Sequence, residues 1–253
     1  MDWYTPLYYL LILILVANAL QGLGIGSLYF LKKSGEKRAN YFYGLLLITF
    51  SLTVVHNLFL VLNLYTLYPG LYFLPIYFTL SFPVLLFYHV KLVLYPNYQM
   101  RASDIKHFIL PVGQFIFFAV LFFYPMEFKS QVGRNFYNPF FGACEQFLYL
   151  LTFYAYMYFA YRYIIQRQKT VKIRQELRLV LYLKKLIKIL FVLFVIHTVF
   201  VLTDFISYEF LGINLRIIKI FAGSGILSFA ALNYWLSIYG FQVLFWGRKR
   251  FYQ

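Results

Sequence analysis

Cysteine is nearly absent from this 253-residue chain, and so is acidic charge: there is one Cys, and only eight residues are Asp or Glu. The lone Cys144 excludes an internal disulfide and any cysteine metal set. Charged residues make up 12% of the sequence, about half the share of a soluble domain, whereas 62% are apolar and 24% aromatic. A disordered chain is excluded by the same excess of apolar surface. Conventional enzyme signatures are also missing. There is no His-x-x-x-His pair, no His-Glu-x-x-His, no Gly-x-Ser-x-Gly and no phosphate loop.

What is present is a series of long apolar runs, and the mean hydropathy is +0.70. They extend over about residues 6–31, 41–64, 71–94, 105–124, 141–165, 186–210 and 215–241. Each is long enough to cross a bilayer, and at that depth a segment must satisfy its own backbone, which predicts helices. The fold class expected is therefore all-α: a polytopic bundle of seven transmembrane helices in a single domain.

Lys and Arg set the direction. Lys32, Lys33, Lys37 and Arg38 follow the first span, and Lys91, Arg101 and Lys106 flank the third connection. The fifth connection and its flanks hold Arg162, Arg167, Lys169, Lys172, Arg174, Arg178, Lys184, Lys185 and Lys188, and the tail holds Arg248, Lys249 and Arg250. Only Lys129, Arg134, Arg216 and Lys219 fall on the other side. Nineteen against four, alternating through every loop, predicts the N-terminus outside and the C-terminus in the cytoplasm. No basic segment precedes the first span, which reads as an anchor rather than a cleaved leader.

Several features give local expectations. Pro75 and Pro83 within the third span, and Pro111 within the fourth, predict kinks, and kinked helices need covering neighbours, which places the third helix in the interior. Gly22, Gly24 and Gly26 contain a Gly-x-x-x-Gly pair, and Ser224, Ser228 and Ala231 share one face of the seventh helix; both predict close helix contacts. Tyr4, Tyr8, Tyr9, Tyr65, Tyr68, Tyr72, Tyr124 and Tyr137 cluster at the outer turns as interface anchors.

No catalytic, metal or cofactor set is expected. Of His56, His89, His107 and His197, only His56 and His197 share a depth that would suit axial haem ligation, and hydrogen-bonded core histidines are the expected alternative. The candidate ligand-binding set is ionisable: Glu145, Asp204, Arg216 and Lys219 fall in the outer half of the bilayer, with His56 and Asn57 nearby on the second helix. Asp204 or Glu145 is expected to pair with Lys219 or Arg216, because an isolated charge there is expensive. The cluster reads either as an ion-pair clamp or as the lining of an outward pocket for a small-molecule ligand. Residues 166–185, with Arg167, Lys169, Lys172, Arg174, Arg178, Lys184 and Lys185, read as a basic amphipathic connection on the cytoplasmic surface. Val180, Leu181, Leu183, Leu186 and Ile187 form its apolar face, and its expected partners are anionic headgroups or a protein. Nucleic acid is not expected to bind directly, since membrane spans flank the segment and no DNA-reading motif occurs in it.

The stretch LPIYFTLSFPVLLFYHVKLVLYPNYQMRASDIKHFILP, Leu74 to Pro111, carries Tyr88, Lys91, His107, Phe108 and Pro111; NYWLSIYGFQ runs from Asn233 to Gln242. In these stretches the chain resembles the membrane-embedded N-terminal region of bacterial AraC-type transcriptional regulators. The resemblance implies a seven-span, signal-receiving module in the bacterial cytoplasmic membrane. The family's helix-turn-helix domain has no counterpart in these 253 residues, so a module contacting a protein partner is expected rather than direct gene regulation. The function expected is non-enzymatic and sensor- or receptor-like, passing an extracytoplasmic or membrane signal inward. The alternative is an accessory or scaffolding subunit of a larger membrane complex.

Overall fold

A computed structural model of the chain describes residues 4–33 and 35–245. It is all-helical, with no strand among the described residues. The α-helices are α1 (Tyr4–Leu31), α2 (Lys37–Val61), the single turn α3 (Leu64–Leu67), α4 (Ser81–Leu94), α5 (Ile109–Phe122), α6 (Met126–Val132), α7 (Gly142–Thr170), α8 (Arg174–Glu209) and α9 (Lys219–Phe245). A 3₁₀ stretch, Ala102–Phe108, leads into α5, and a π-helical stretch, Gly133–Phe141, leads into α7.

Five helical stretches are long and apolar enough to cross a membrane: Pro6–Leu31, Lys37–Val61, Ala102–Phe122, Arg174–Glu209 and Lys219–Phe245. Two of the seven expected segments differ. The apolar helix α4 has only 14 residues. The 29 residues of α7 are diluted by tyrosine at 149, 154, 156, 158, 161 and 163.

Helices α1, α2, α4, α7, α8 and α9 pack in a closed ring, each on the next, with α2 also touching α9. Its centre is aromatic. Phe50 of α2 stacks on Phe82 of α4 at 3.7 Å, both rings adjoin Phe229 of α9, and Phe153 of α7 stacks on Phe194 of α8 at 4.0 Å. Every α4 residue except Val93 is buried, as expected for the interior helix. By contrast α5 sits at the periphery: Ile109, Val112, Ile116 and Val120 are exposed, while Pro111, Gln114, Phe118 and Leu121 turn inward.

The prolines act differently from the kinks expected of them. Residues 72–80 are not helical at all, Pro75 lies within that break, and Pro83 sits in the first turn of α4. There its missing N–H costs no helical bond. Pro111 likewise occupies the first turn of α5, just after the 3₁₀ stretch.

The basic connection is also rearranged. No separate surface helix lies between the fifth and sixth runs: α7 continues to Thr170, α8 begins at Arg174, and only residues 171–173 join them. At about 1.5 Å per residue, the 36 residues of α8 are longer than a hydrocarbon core of about 30 Å. Val180, Leu183, Leu186 and Ile187 are buried in the bundle, and only Leu181 of the expected apolar face stays exposed. An apolar face satisfies itself equally against protein and lipid, and here the neighbouring helices cover it.

Glycine brings α1 against its neighbours. Gly26 and Gly44 approach until each Cα faces the other's carbonyl, and Gly22 lies beside Ser51 and Asn233. Below this contact, Asn233 donates to Asn18 Oδ1 (2.7 Å) and Ser51 Oγ (3.2 Å), while Asn18 donates to the Ala230 carbonyl (2.8 Å). Small residues thus let α1, α2 and α9 close over a buried polar triad. On α9 itself, the Ser228 hydroxyl lies 2.9 Å from His197 Nδ1.

Candidate functional site

The break at residues 72–80 is where local sequence departs furthest from regular structure. Pro75 cannot donate a backbone hydrogen bond and disfavours helix at Leu74. Just before it, Phe73 adopts a φ of +60°, a left-handed conformation that costs a bulky residue about 1–3 kcal/mol. The surroundings hold it there. Its buried ring is enclosed by Phe117 (6.2 Å), Phe118 (5.9 Å) and Tyr137 (5.5 Å).

Unwound backbone away from water requires protein partners. Side chains remote in sequence provide them. Thr53 Oγ1 of α2 accepts the Phe78 N–H at 3.1 Å, and Gln114 Oε1 of α5 accepts the Leu80 N–H at 3.1 Å. The latter bond fixes the amide orientation, because only the oxygen of a Gln accepts. The amide nitrogen then donates twice, to Thr79 Oγ1 at 3.0 Å and to Glu145 Oε1 at 2.5 Å. Tyr137 completes the network by donating to Glu145 Oε2 at 3.0 Å.

Gln114 and Glu145 are each 3% exposed. One amide therefore ties the peripheral α5 to the break and to α7, and both carboxyl oxygens of Glu145 are engaged by neutral donors. Chemically, the site presents a buried carboxyl group that can take a proton, or receive a cationic group in exchange for its neutral donors.

Within the expected outer cluster, Glu145 is held by Gln114 and Tyr137. Glu145 makes no ion pair with Lys219 among the described residues; Lys219 is exposed at the start of α9. Asp204 is half-buried on α8, and the side chain of Arg216 lies outside the described residues. Glu145 faces α5, from which Gln114 donates to it. His56 accompanies a neighbouring aromatic group instead: its Nδ1 lies 2.6 Å from the Tyr65 hydroxyl and its ring 5.0 Å from Tyr77. Asn57 beside it is half-buried. His56 and His197 thus have separate hydrogen-bond partners, Tyr65 and Ser228.

On the basic side, Arg167 pairs with Glu176 at 2.9 Å and Lys184 donates to Gln168 at 2.9 Å, each bond joining α7 to α8. Lys169, Lys172, Arg174, Arg178 and Lys185 are exposed. The basic tail, Arg248 to Tyr252, lies outside the described residues.

Gln114, Thr79, Thr53 and Tyr137 were not singled out by sequence reasoning. Gln114 carried a readable signal: it is the one side-chain amide in the otherwise apolar ILPVGQFIFFAVLF of α5, and polar groups within spans tend to have dedicated partners. Neither a protein-family model, nor a curated protein, nor a solved structure matches the chain.

Proposed function

We propose that the protein is a non-enzymatic, sensor-like module of the bacterial cytoplasmic membrane, crossing it seven times from an outside N-terminus and receiving a signal in its outer half. The observation that carries this reading is the buried Glu145–Gln114 pair joined to an unwound segment. A carboxyl group within a span is expensive, and its usual justification is function. Non-helical backbone at such depth is found where protein or a cavity surrounds it, and ligand sites use it repeatedly.

The nineteen-to-four distribution of Lys and Arg supports the direction. Segment three crosses as the unwound residues 72–80 followed by α4, which spans about 21 Å at 1.5 Å per residue. Because α4 begins at the Gln114 contact and is buried along its length, a shift at the break moves its cytoplasmic end as a unit. A ligand drives that shift only by binding the two arrangements unequally. The likeness to the membrane region of AraC-type regulators supports the signal-receiving role, with a cytoplasmic protein as the receiver.

Two measurements test the reading. For topology, a thiol placed by Lys172→Cys in a Cys144→Ser background is expected to react with a membrane-impermeant maleimide only after permeabilisation. Gln131→Cys, in the opposite connection, is expected to react in intact cells. Labelling of position 172 from outside would overturn the topology. For the receptor role, native mass spectrometry of the protein in mild detergent is expected to show a monomer retaining a small molecule that Glu145→Gln releases without loss of fold. Equal retention by Glu145→Gln removes the assignment, and a stoichiometric membrane protein in its place supports an accessory subunit.

A further inference from the structure

At the far end of α4 the side chain of Lys91 is placed unusually. The residue is 8% exposed, so the ammonium is largely removed from water. It rests 3.6 Å from the Tyr98 ring centroid, with Phe87, Tyr88 and Tyr163 further out at 5.5–5.9 Å. Asp104 is its ion-pair partner at 3.9 Å, beyond hydrogen-bond length.

That carboxylate is already occupied. It accepts from the Tyr88 hydroxyl (2.9 Å), from the Tyr98 hydroxyl (2.8 Å) and from the Arg101 backbone N–H (2.7 Å). The hydrogen bond to Asp104 holds the Tyr98 phenol above its ordinary pKa, so that it stays a donor. Lys91 donates no hydrogen bond among the described residues. Buried ammonium groups normally use their donors, since an unmade bond to a charged group is costly.

The unused donors border two cavities. One, about 540 Å³, is bounded by Lys91, Tyr95, Asn97, Tyr98 and Arg167. The other, about 330 Å³, shares Lys91 and Tyr163 with the first and continues past Phe87, Tyr156 and the half-exposed Phe159. Arg167 spends one terminal N–H on Glu176, which leaves the rest of its fork uncommitted to that carboxylate. The first cavity is therefore faced by Lys91 and Arg167 together with the Glu176 carboxylate that Arg167 pairs with, and the second by aromatic rings with His107.

We infer that this pair of cavities binds an anionic phospholipid of the cytoplasmic leaflet, with the headgroup phosphate between Lys91 and Arg167 and acyl carbon along the aromatic passage. A phosphate oxygen supplies the acceptor that Lys91 lacks, and its geometry suits an Arg fork. The adjoining aromatic cavity distinguishes a lipid from free inorganic phosphate, which has no use for an apolar extension. Exposed basic residues around the 171–173 connection raise the local concentration of anionic headgroups. The leaflet assignment rests on the topology proposed above; the binding itself does not.

The test uses the full chain in dodecyl maltoside micelles doped with equal amounts of dioleoyl phosphatidylglycerol and dioleoyl phosphatidylcholine, with retained lipid counted by native mass spectrometry. Phosphatidylglycerol is expected to be retained roughly tenfold over phosphatidylcholine: both offer the phosphate acceptor, but the choline cation of the latter meets the like charges of Lys91 and Arg167. Lys91→Met and Arg167→Gln each bring the ratio near one, whereas Lys37→Gln, exposed and outside the cavities, leaves it unchanged. Arg167 lies at the rim, so Arg167→Gln keeps the test decisive if Lys91→Met fails to fold. Equal retention of the two lipids by the wild type, or an undiminished preference in folded Arg167→Gln, overturns the inference. So does thermal protection by inorganic phosphate without any lipid preference. Micelles have no sides, so a failed topology assay at position 172 would leave this result standing.

Discussion

Gln114→Leu is expected to cost about 3–5 kcal/mol, because it strands several buried polar groups at about 1–3 kcal/mol each. The Leu80 N–H loses its acceptor, and Thr79 Oγ1 and Glu145 Oε1 lose their donor. Leu has nearly the volume of Gln, so the loss reports hydrogen bonding rather than a cavity. The peripheral α5 has few other anchors, since its inward face is limited to Pro111, Phe118 and Leu121 besides Gln114. Unfolding by sodium dodecyl sulfate in mixed micelles, followed by far-ultraviolet circular dichroism, reads the change. Glu145→Gln provides the contrast. Its amide retains an oxygen that can accept from Gln114 or Tyr137, and it removes a buried charge, so its cost should stay within about 1 kcal/mol. If Gln114→Leu is as mild as Glu145→Gln, the amide is not the tie between α5 and the break.

These two substitutions also separate structure from signalling. Gln114 supports the unwound backbone, whereas Glu145 supplies the ionisable group. Loss of ligand retention in a stable Glu145→Gln protein would place recognition at the carboxyl itself. Loss in both variants, with instability only in Gln114→Leu, would show that the break must also be held in shape.

The same residues show what the sequence could and could not convey. Long apolar segments such as Lys37–Val61 and Lys219–Phe245 were legible because hydrocarbon leaves a span little choice but helix. The interior position of α4 was legible from its prolines, but their effect was not. A proline reports a missing donor; whether the chain kinks or unwinds depends on acceptors elsewhere. Here these are Thr53, 25 residues before Phe78, and Gln114, 34 residues after Leu80. The apolar face of α8 was visible as Val180, Leu183, Leu186 and Ile187, yet apolarity alone cannot tell a lipid neighbour from a protein one. The places of Glu145 and Lys219 at the starts of α7 and α9 were readable, while the direction each helix faces was set by packing around the whole ring. Tyr88, Lys91, His107 and Phe108 gather at one end of α4: Tyr88 lies 5.4 Å from Phe108 and 6.0 Å from His107.

Within the Gly-x-Gly-x-Gly run of α1 the three glycines should respond in opposite directions to the same added methyl group. A Cβ on Gly22 would overlap Ser51 Oγ and come within 2.9 Å of Asn233 Nδ2, forcing apart the triad that joins α1, α2 and α9. Overpacking of about 1–3 kcal/mol together with weakened bonds from Asn233 gives an expected loss of about 2–4 kcal/mol for Gly22→Ala. On Gly26 the Cβ meets the Gly44 carbonyl oxygen at 3.0 Å and Leu47 Cβ at 3.1 Å. Backbone cannot rotate away as a side chain can, so Gly26→Ala should lose about 1–3 kcal/mol by separating α1 from α2. Gly24 has nothing within 4 Å of its Cβ position, and Gly24→Ala should gain about 0.5–1 kcal/mol from reduced backbone freedom in the unfolded chain. Ser51→Ala removes the atom nearest the new methyl of Gly22→Ala, so the double variant should be more stable than the sum of the single changes predicts. Detergent unfolding of the wild type and these five variants decides the matter. Equal shifts for Gly22→Ala and Gly24→Ala would mean that this run is not the close contact on which the packing of α1 depends.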